Sequence, residues 1–201
     1  VAHHGWQGDP PATEGLARAR IIGAATRCID RVGVAKTTLS DIAADARVTR
    51  QTVYRYFPSL GELLRAVAEA GAIDFTDRMR THLTPCPAPI DAVVEAIVFC
   101  LEELPQEPSI GILLQAEDED LFGRGITSST GLDLGAQFLR SLPVDWEANG
   151  IIDGDLEGLA ELMLRLIGSL MQHPPATPRS PDEVRAYLRR WLGAALTAPR
   201  A

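Results

Sequence analysis

The sequence predicts an all-α protein, with an N-terminal three-helix module followed by a larger helical domain, and three observations carry that reading. Apolar residues recur at three- and four-residue steps along the 201-residue chain, the period of a helix that buries one face. Prolines fall between the periodic segments rather than inside them, at Pro85, Pro87 and Pro89, at Pro105 and Pro108, at Pro143, and at Pro174 and Pro175. There a missing N–H interrupts no helix. No run of useful length alternates with the period of a strand, and no segment repeats. Hydrophobic residues make up 46% of the chain, ample for a packed core.

Taken in order, residues 1–15 are rich in Gly, Pro and small polar residues and read as a flexible arm. From Leu16 a helical face begins, made of Ile21, Ile22, Ala25, Cys28, Ile29 and Val32, and Gly33 stands where that helix would close. Thr37 and Thr38 offer N-cap oxygens to a short second helix, whose inner face is Leu39, Ile42, Ala43 and Ala46. Arg47 and Val48 form a tight connection, and Thr49 caps a third helix in which Val53, Tyr54 and Phe57 can pack. Pro58 stops that helix and Ser59 caps a fourth, which opens on Leu63, Leu64, Val67 and Ala70. Helices are expected over 60–82, 90–104, about 108–118, about 128–142, 154–172 and 181–197. The predicted organisation is thus an arm (1–15), a first domain (16–59) and a second domain (60–201).

Composition removes several classes of function. No apolar run reaches the roughly 18–20 residues of a membrane span, and the N-terminus lacks the basic start and apolar stretch of a signal peptide, so a cytoplasmic protein is expected. Cys28, Cys86 and Cys100 are an odd number without CxxC spacing, which points to buried thiols rather than a disulfide framework or a zinc site. His3 and His4 are adjacent in the arm, a weak metal signal, and Glu117 to Asp120 reads as a solvated helix end because it lacks the spaced ligands and Gly turn of a calcium loop. No GxSxG, P-loop, GxGxxG or HExxH pattern is present, so neither an enzyme nor a cofactor is expected.

The net charge of −8 argues at first against a polyanionic partner. The average conceals an asymmetry. From Leu16 to Arg65 there are 9 Lys/Arg against 4 Asp/Glu, a local charge of +5, and the rest of the chain carries −13. One module is built to meet an anion and the other is not. Three short helices, the second and third joined by a tight turn, form the unit that sets a helix in the DNA major groove. Such a unit needs a small inner face on its second helix, which Ile42, Ala43 and Ala46 supply. It also needs polar side chains opening the third, and Thr49, Arg50, Gln51 and Thr52 provide a cap, a forked cation, an amide and a hydroxyl. Arg pairs bidentately with guanine and Gln with adenine. Tyr54, Arg55 and Tyr56 follow with donors suited to phosphates.

The stretch from Thr37 to Ala43, followed by Val48-Thr49-Arg50-Gln51-Thr52-Val53-Tyr54-Arg55-Tyr56-Phe57-Pro58-Ser59, resembles the signature of the TetR family of bacterial regulators. The likeness covers about residues 17–68 and includes the first helix ending at Gly33 and the Glu62-Leu63-Leu64 opening of the fourth. It implies that Thr38 caps the second helix near a phosphate, that Ser40 faces DNA, and that Thr49 to Thr52 open the recognition helix with Tyr54 and Tyr56 beside it. One departure stands out. Leu60, followed by Gly61, occupies the place where the family usually carries a Lys that holds a phosphate, and Arg55, Arg18 or Arg20 are the candidates to replace it.

The second domain is expected to dimerise and to sense. Operator half-sites lie about one helical turn apart, which a two-fold dimer matches. In 154–172 apolar residues cover nearly the whole circumference, so that helix must be buried on two sides. The predicted interface takes Leu159, Met163, Leu166 and Leu170 from it, and Tyr187, Leu188, Trp191 and Leu192 from the last helix. The resemblance further implies a pocket for a small apolar or amphipathic effector, with Phe75, Met79, Phe99, Ile112, Leu113, Phe138 and Met163 as candidate lining, although a pocket and a core share that composition. The resulting expectation is a dimeric, sequence-specific DNA-binding regulator, a repressor released by its effector. A regulator with a degenerate DNA module that works through protein partners, and a helical enzyme, are the alternatives.

Overall fold

A computed structural model describes Trp6 and residues 11–107 and 129–197. Among them are eight α-helices and no strand: α1 Glu14–Val32, α2 Leu39–Asp45, α3 Arg50–Tyr56, α4 Leu60–Leu83, α5 Pro89–Glu103, α6 Ser129–Arg140, α7 Asp155–Gln172 and α8 Pro181–Thr197. Each stands where the apolar period and the caps put it, with ends shifted by two residues or fewer. The helix expected near 108–118 lies outside the described residues. Among the described residues no helix is long and apolar enough to cross a membrane, and no group of three or more His, Cys, Asp or Glu is placed to hold a metal ion.

The chain divides into two compact units, and the division runs through α4 between Asp74 and Phe75 rather than ahead of that helix at 59/60. Leu63 and Val67 explain the shift, because both are buried in the same core as α1, α2 and α3. That core holds Ile21, Ile29, Ile42, Val53 and Phe57, each at most 1% exposed. Side-chain caps set where its helices begin. Thr13 Oγ1 accepts from Leu16 N–H at 3.2 Å, Thr49 Oγ1 from Thr52 N–H at 3.1 Å, and Ser59 Oγ from Glu62 N–H at 3.1 Å. Thr38 and Asp41 form a reciprocal capping box on α2. The buried Thr37 hydroxyl donates to the Gly33 carbonyl at 2.8 Å and closes the end of α1.

The turn after α2 has a defined hydrogen-bond pattern. Arg47 N–H donates to the Ala44 carbonyl at 3.1 Å and Val48 N–H to the Ala43 carbonyl at 2.9 Å, the paired bonds of a Schellman ending. That ending requires a left-handed residue, and Arg47 supplies it at φ 57°. An L-residue with a Cβ holds this conformation at a cost of about 1–2 kcal/mol.

The arm is not wholly free of the module. Trp6, expected in a flexible segment, is buried, its ring 6.0 Å from that of Tyr56 in an edge-on arrangement, and the Arg20 guanidinium lies 5.3 Å from the Trp6 ring centre. Few partners other than another aromatic edge and a cation offer a large indole comparable contact on a small domain.

In the second unit α7 packs closely on α6. A Cβ on Gly135 would stand 3.2 Å from the Ala160 Cβ, so the absence of a side chain there permits the approach. Helix α8 is tied to α5 by ion pairs: Arg185 Nε lies 3.0 Å from both Glu95 carboxylate oxygens, and Arg189 pairs with Asp91. After α6 the chain is folded back by Trp146, whose indole N–H donates to the Leu139 carbonyl at 3.1 Å. All three cysteines are free thiols. Burial pushes the Cys100 thiol up to about 12.

Three carboxyls sit below the ordinary range of about 4. Hydrogen bonds from the Thr38 hydroxyl and then its N–H hold Asp41 low, a hydrogen bond from Arg140 does the same for Asp153, and backbone and hydroxyl donors of Ser180 for Glu183. A folded-state pKa below the unfolded one means that the unfolded chain binds the proton more tightly. Their contribution to stability is therefore complete above the ordinary carboxyl range and is lost as pH falls through the lowered values. Urea midpoints are expected to drop between pH 5 and pH 3, and Asp41→Asn to start lower at pH 7 and fall less. Equal pH dependence in the two proteins would remove Asp41 from this account.

Candidate nucleic-acid interface

Helix α3 presents two faces. Thr52 and Val53 point into the core, at 4% and 0% exposure, while Arg50, Gln51, Tyr54 and Arg55 lie on the outer side. The spacing i, i+1, i+4, i+5 puts those four on one stripe of the helix. Tyr54 is 44% exposed. Arg50 and Gln51 are exposed, and among the described residues their side chains meet no hydrogen-bond partner or carboxylate, so their donors are unspent. Ser40 is likewise exposed on α2.

Thr52, expected among the DNA contacts, does not face outward. Its side chain is buried, and its hydroxyl lies 2.9 Å from that of Thr49, so it locks the first turn of α3 rather than reaching outward. A residue three positions past an N-cap points inward here because Val53 and Phe57 set the packed side of the helix. Thr49 is exposed, with its oxygen engaged in the cap. Thr38 is also exposed, and its hydroxyl donates to the Asp41 carboxylate at 2.5 Å while capping α2.

Tyr56 is held from three sides. Its ring meets Trp6, its carbonyl accepts from Arg18 Nη1 at 2.6 Å, and its hydroxyl accepts from Arg55 Nη2 at 3.1 Å. The hydroxyl proton stays available to an acceptor outside the protein. The Arg18 guanidinium also lies 4.2 Å from the centre of the Phe57 ring, so Arg18 closes the C-terminal end of α3 and does not stand in for a cation at position 60. Leu60 itself packs half-buried against the core. Arg27 and Arg31 both reach Asp45, at 2.7 and 3.6 Å, and brace α1 against α2.

Among the described residues expected to line an effector pocket, Phe75, Met79 and Phe99 form one group. Phe75 and Phe99 lie 5.3 Å apart, the Cys100 thiol is 3.8 Å from the Met79 sulfur, and the His82 ring adds to the group at 5.1 Å from Phe99. Phe138 lies on α6 with the Arg80 guanidinium 5.9 Å from its ring centre. Met163 lies with Val93, Leu159 and Leu192 around an open depression of about 290 Å³ between α7 and α8. Ile112 and Leu113 lie outside the described residues.

The residues expected at a dimer interface differ in burial. Leu188, at 1% exposure, belongs to the interior of its own unit, and Leu159 and Met163 are nearly as buried. What remains on the surface is a line of Leu162, Leu166 and Leu170 on α7, with Tyr187, Trp191 and Leu192 on α8. Trp191 is 63% exposed. Sequence reasoning passed over Leu162, because on a helix apolar all round only the packing against α5 and α6 distinguishes the free side.

Known proteins match this chain chiefly through the first unit. Residues 21–67 match the bacterial regulatory proteins of the tetR family. The HTH-type transcriptional regulator TtgR of Pseudomonas putida is 47% identical over 53 residues, 26% of this chain and 25% of TtgR. The HTH-type transcriptional repressor LfrR of Mycolicibacterium smegmatis is 40% identical over 60 residues, 30% of this chain and 31% of LfrR. The likeness thus spans only a quarter to a third of these relatives' own length. Over the longer range the fold is that of the TetR family repressor AlkX from Dietzia sp., with a TM-score of 0.60 at 23% identity, covering 89% of this chain and 94% of that one. Residues 21–67 thus carry the helix-turn-helix module of the tetR family of bacterial regulatory proteins, and the rest of the chain is similar to that family's solved structures in fold.

Proposed function

We propose that the chain is a sequence-specific DNA-binding transcriptional regulator, a repressor that acts as a dimer and leaves its operator when a small apolar or amphipathic effector binds the second unit. The observation that carries the DNA-binding reading is the outer face of α3. Arg50, Gln51, Tyr54 and Arg55 are exposed on a helix whose start is set by a side-chain cap and whose inner side is buried. Base readers need that combination, because a bidentate contact discriminates only when the backbone carrying it is held.

Dimerisation rests on the apolar line of Leu162, Leu166 and Leu170 with Tyr187 and Trp191, a surface that water solvates poorly. The effector reading rests on the Phe75, Met79 and Phe99 group, whose aromatic and sulfur surfaces suit an apolar ligand. An effector acts on DNA binding only through a difference in its affinity for two arrangements of the dimer. The test is binding to fragments of the DNA upstream of the protein's own gene. Specific, salt-dependent retention of one fragment is the expected result, and failure to retain any fragment overturns the proposal.

A further inference from the structure

We propose that Arg47 grips a DNA phosphate from the turn between α2 and α3, a role that rests on the reading of this module as DNA-binding. Arg47 is the one non-glycine residue at positive φ among the described residues. The bonds that define the turn, from the N–H groups of Arg47 and Val48, are backbone bonds. They need a left-handed residue at this place and nothing from its side chain, so glycine would satisfy them with the least strain. The fold therefore does not select arginine. Nor does the side chain serve packing: it is exposed, and among the described residues its guanidinium joins no ion pair or hydrogen bond. A strained conformation kept where another residue would relieve it points to use.

The charges around it support that use. Arg18 is engaged by Tyr56 and Phe57, and Arg27 and Arg31 by Asp45. Asp45 is also the carboxylate nearest to Arg47 in sequence, and it is occupied by α1. Arg47 thus keeps its full charge three residues ahead of Arg50, the first residue of the helix that reads bases. Val48, next along the chain, is 7% exposed and ties the turn to the core, so the backbone bearing Arg47 is fixed. A fixed cation flanking a major-groove helix meets the phosphate strand that borders the groove, where it adds register and affinity without reading sequence.

The test compares Arg47→Gly, Arg47→Lys and Arg65→Ala in the full chain, each titrated against the retained upstream fragment and against a duplex of arbitrary sequence over a range of salt. Arg65 is an exposed cation of α4 with no partner among the described residues, and it controls for charge alone. Arg47→Gly is expected to unfold at the same or a higher temperature than the parent, yet to weaken binding to both duplexes by a similar factor. Its slope of log affinity against log salt should be shallower by about 0.9 per protomer, the signature of one lost phosphate contact. Arg47→Lys should retain most of that slope. If Arg47→Gly binds with the parental slope, or if Arg65→Ala loses as much slope, the proposal is overturned. A parent chain that binds neither duplex overturns the DNA-binding reading and this one together, whereas a parent that binds, with Arg47→Gly matching it, overturns this one alone.

Discussion

Arg50→Ala is expected to weaken binding to the cognate operator by about 5- to 150-fold, the equivalent of the roughly 1–3 kcal/mol that a bidentate base contact contributes. The loss should be much smaller on a duplex of scrambled sequence. Arg50 opens α3 with its guanidinium exposed and unpartnered among the described residues, so truncation removes donors that no internal contact uses. Stability should barely move, since exposed side chains without partners contribute little to folding. Titration of labelled operator and scrambled duplex in parallel separates the two possible roles. A selective loss marks a base reader. An equal loss on both duplexes would make Arg50 a phosphate contact, and sequence reading would then fall to Gln51 and Tyr54.

The second large effect concerns the fold beneath that surface. Phe57→Ala is expected to cost about 3–5 kcal/mol of stability, a large share of the 5–15 kcal/mol that holds a typical domain together. Phe57 is 1% exposed in the core shared by α1, α2, α3 and the start of α4. Its ring also supports the Arg18 guanidinium that accompanies the carbonyl end of α3. Truncation leaves a cavity that three short helices cannot close without moving the recognition helix. Denaturant unfolding should show the loss, and operator affinity should fall on every sequence alike, unlike the selective loss expected for Arg50→Ala. A change of less than about 1 kcal/mol, within the range of ordinary surface substitutions and volume-conserving swaps, would show that Phe57 is not an anchor of this core.

Much of this molecule was legible in the order of its residues. The caps at Thr38, Thr49 and Ser59, the stop at Pro58 and the closure at Gly33 act within one turn of helix, and local hydrogen bonding decides them. The all-α class, the helix boundaries and the exposure of Arg50, Gln51 and Tyr54 follow from that local chemistry and from the period of the apolar residues. Other features depend on what approaches from far along the chain. Trp6 was hidden in a Gly- and Pro-rich arm, and its isolation as a large apolar residue there was the only sign that it would dock. Arg18, Arg27 and Arg31 all lie on α1, yet each meets a different partner or atom, supplied by α2, α3 and the residue that follows α3.

Charge and hydrophobicity report what a side chain can do, and packing decides which of those possibilities is used. The sequence by itself determined that a basic three-helix module with a helix-turn-helix precedes an acidic helical domain, because periodicity, capping and composition are properties of neighbouring residues. Only the tertiary structure decided that Thr52 and Leu188 turn inward and that Leu162 stays out. Each of those outcomes depends on which face of a helix a distant helix covers, and no local pattern carries that information.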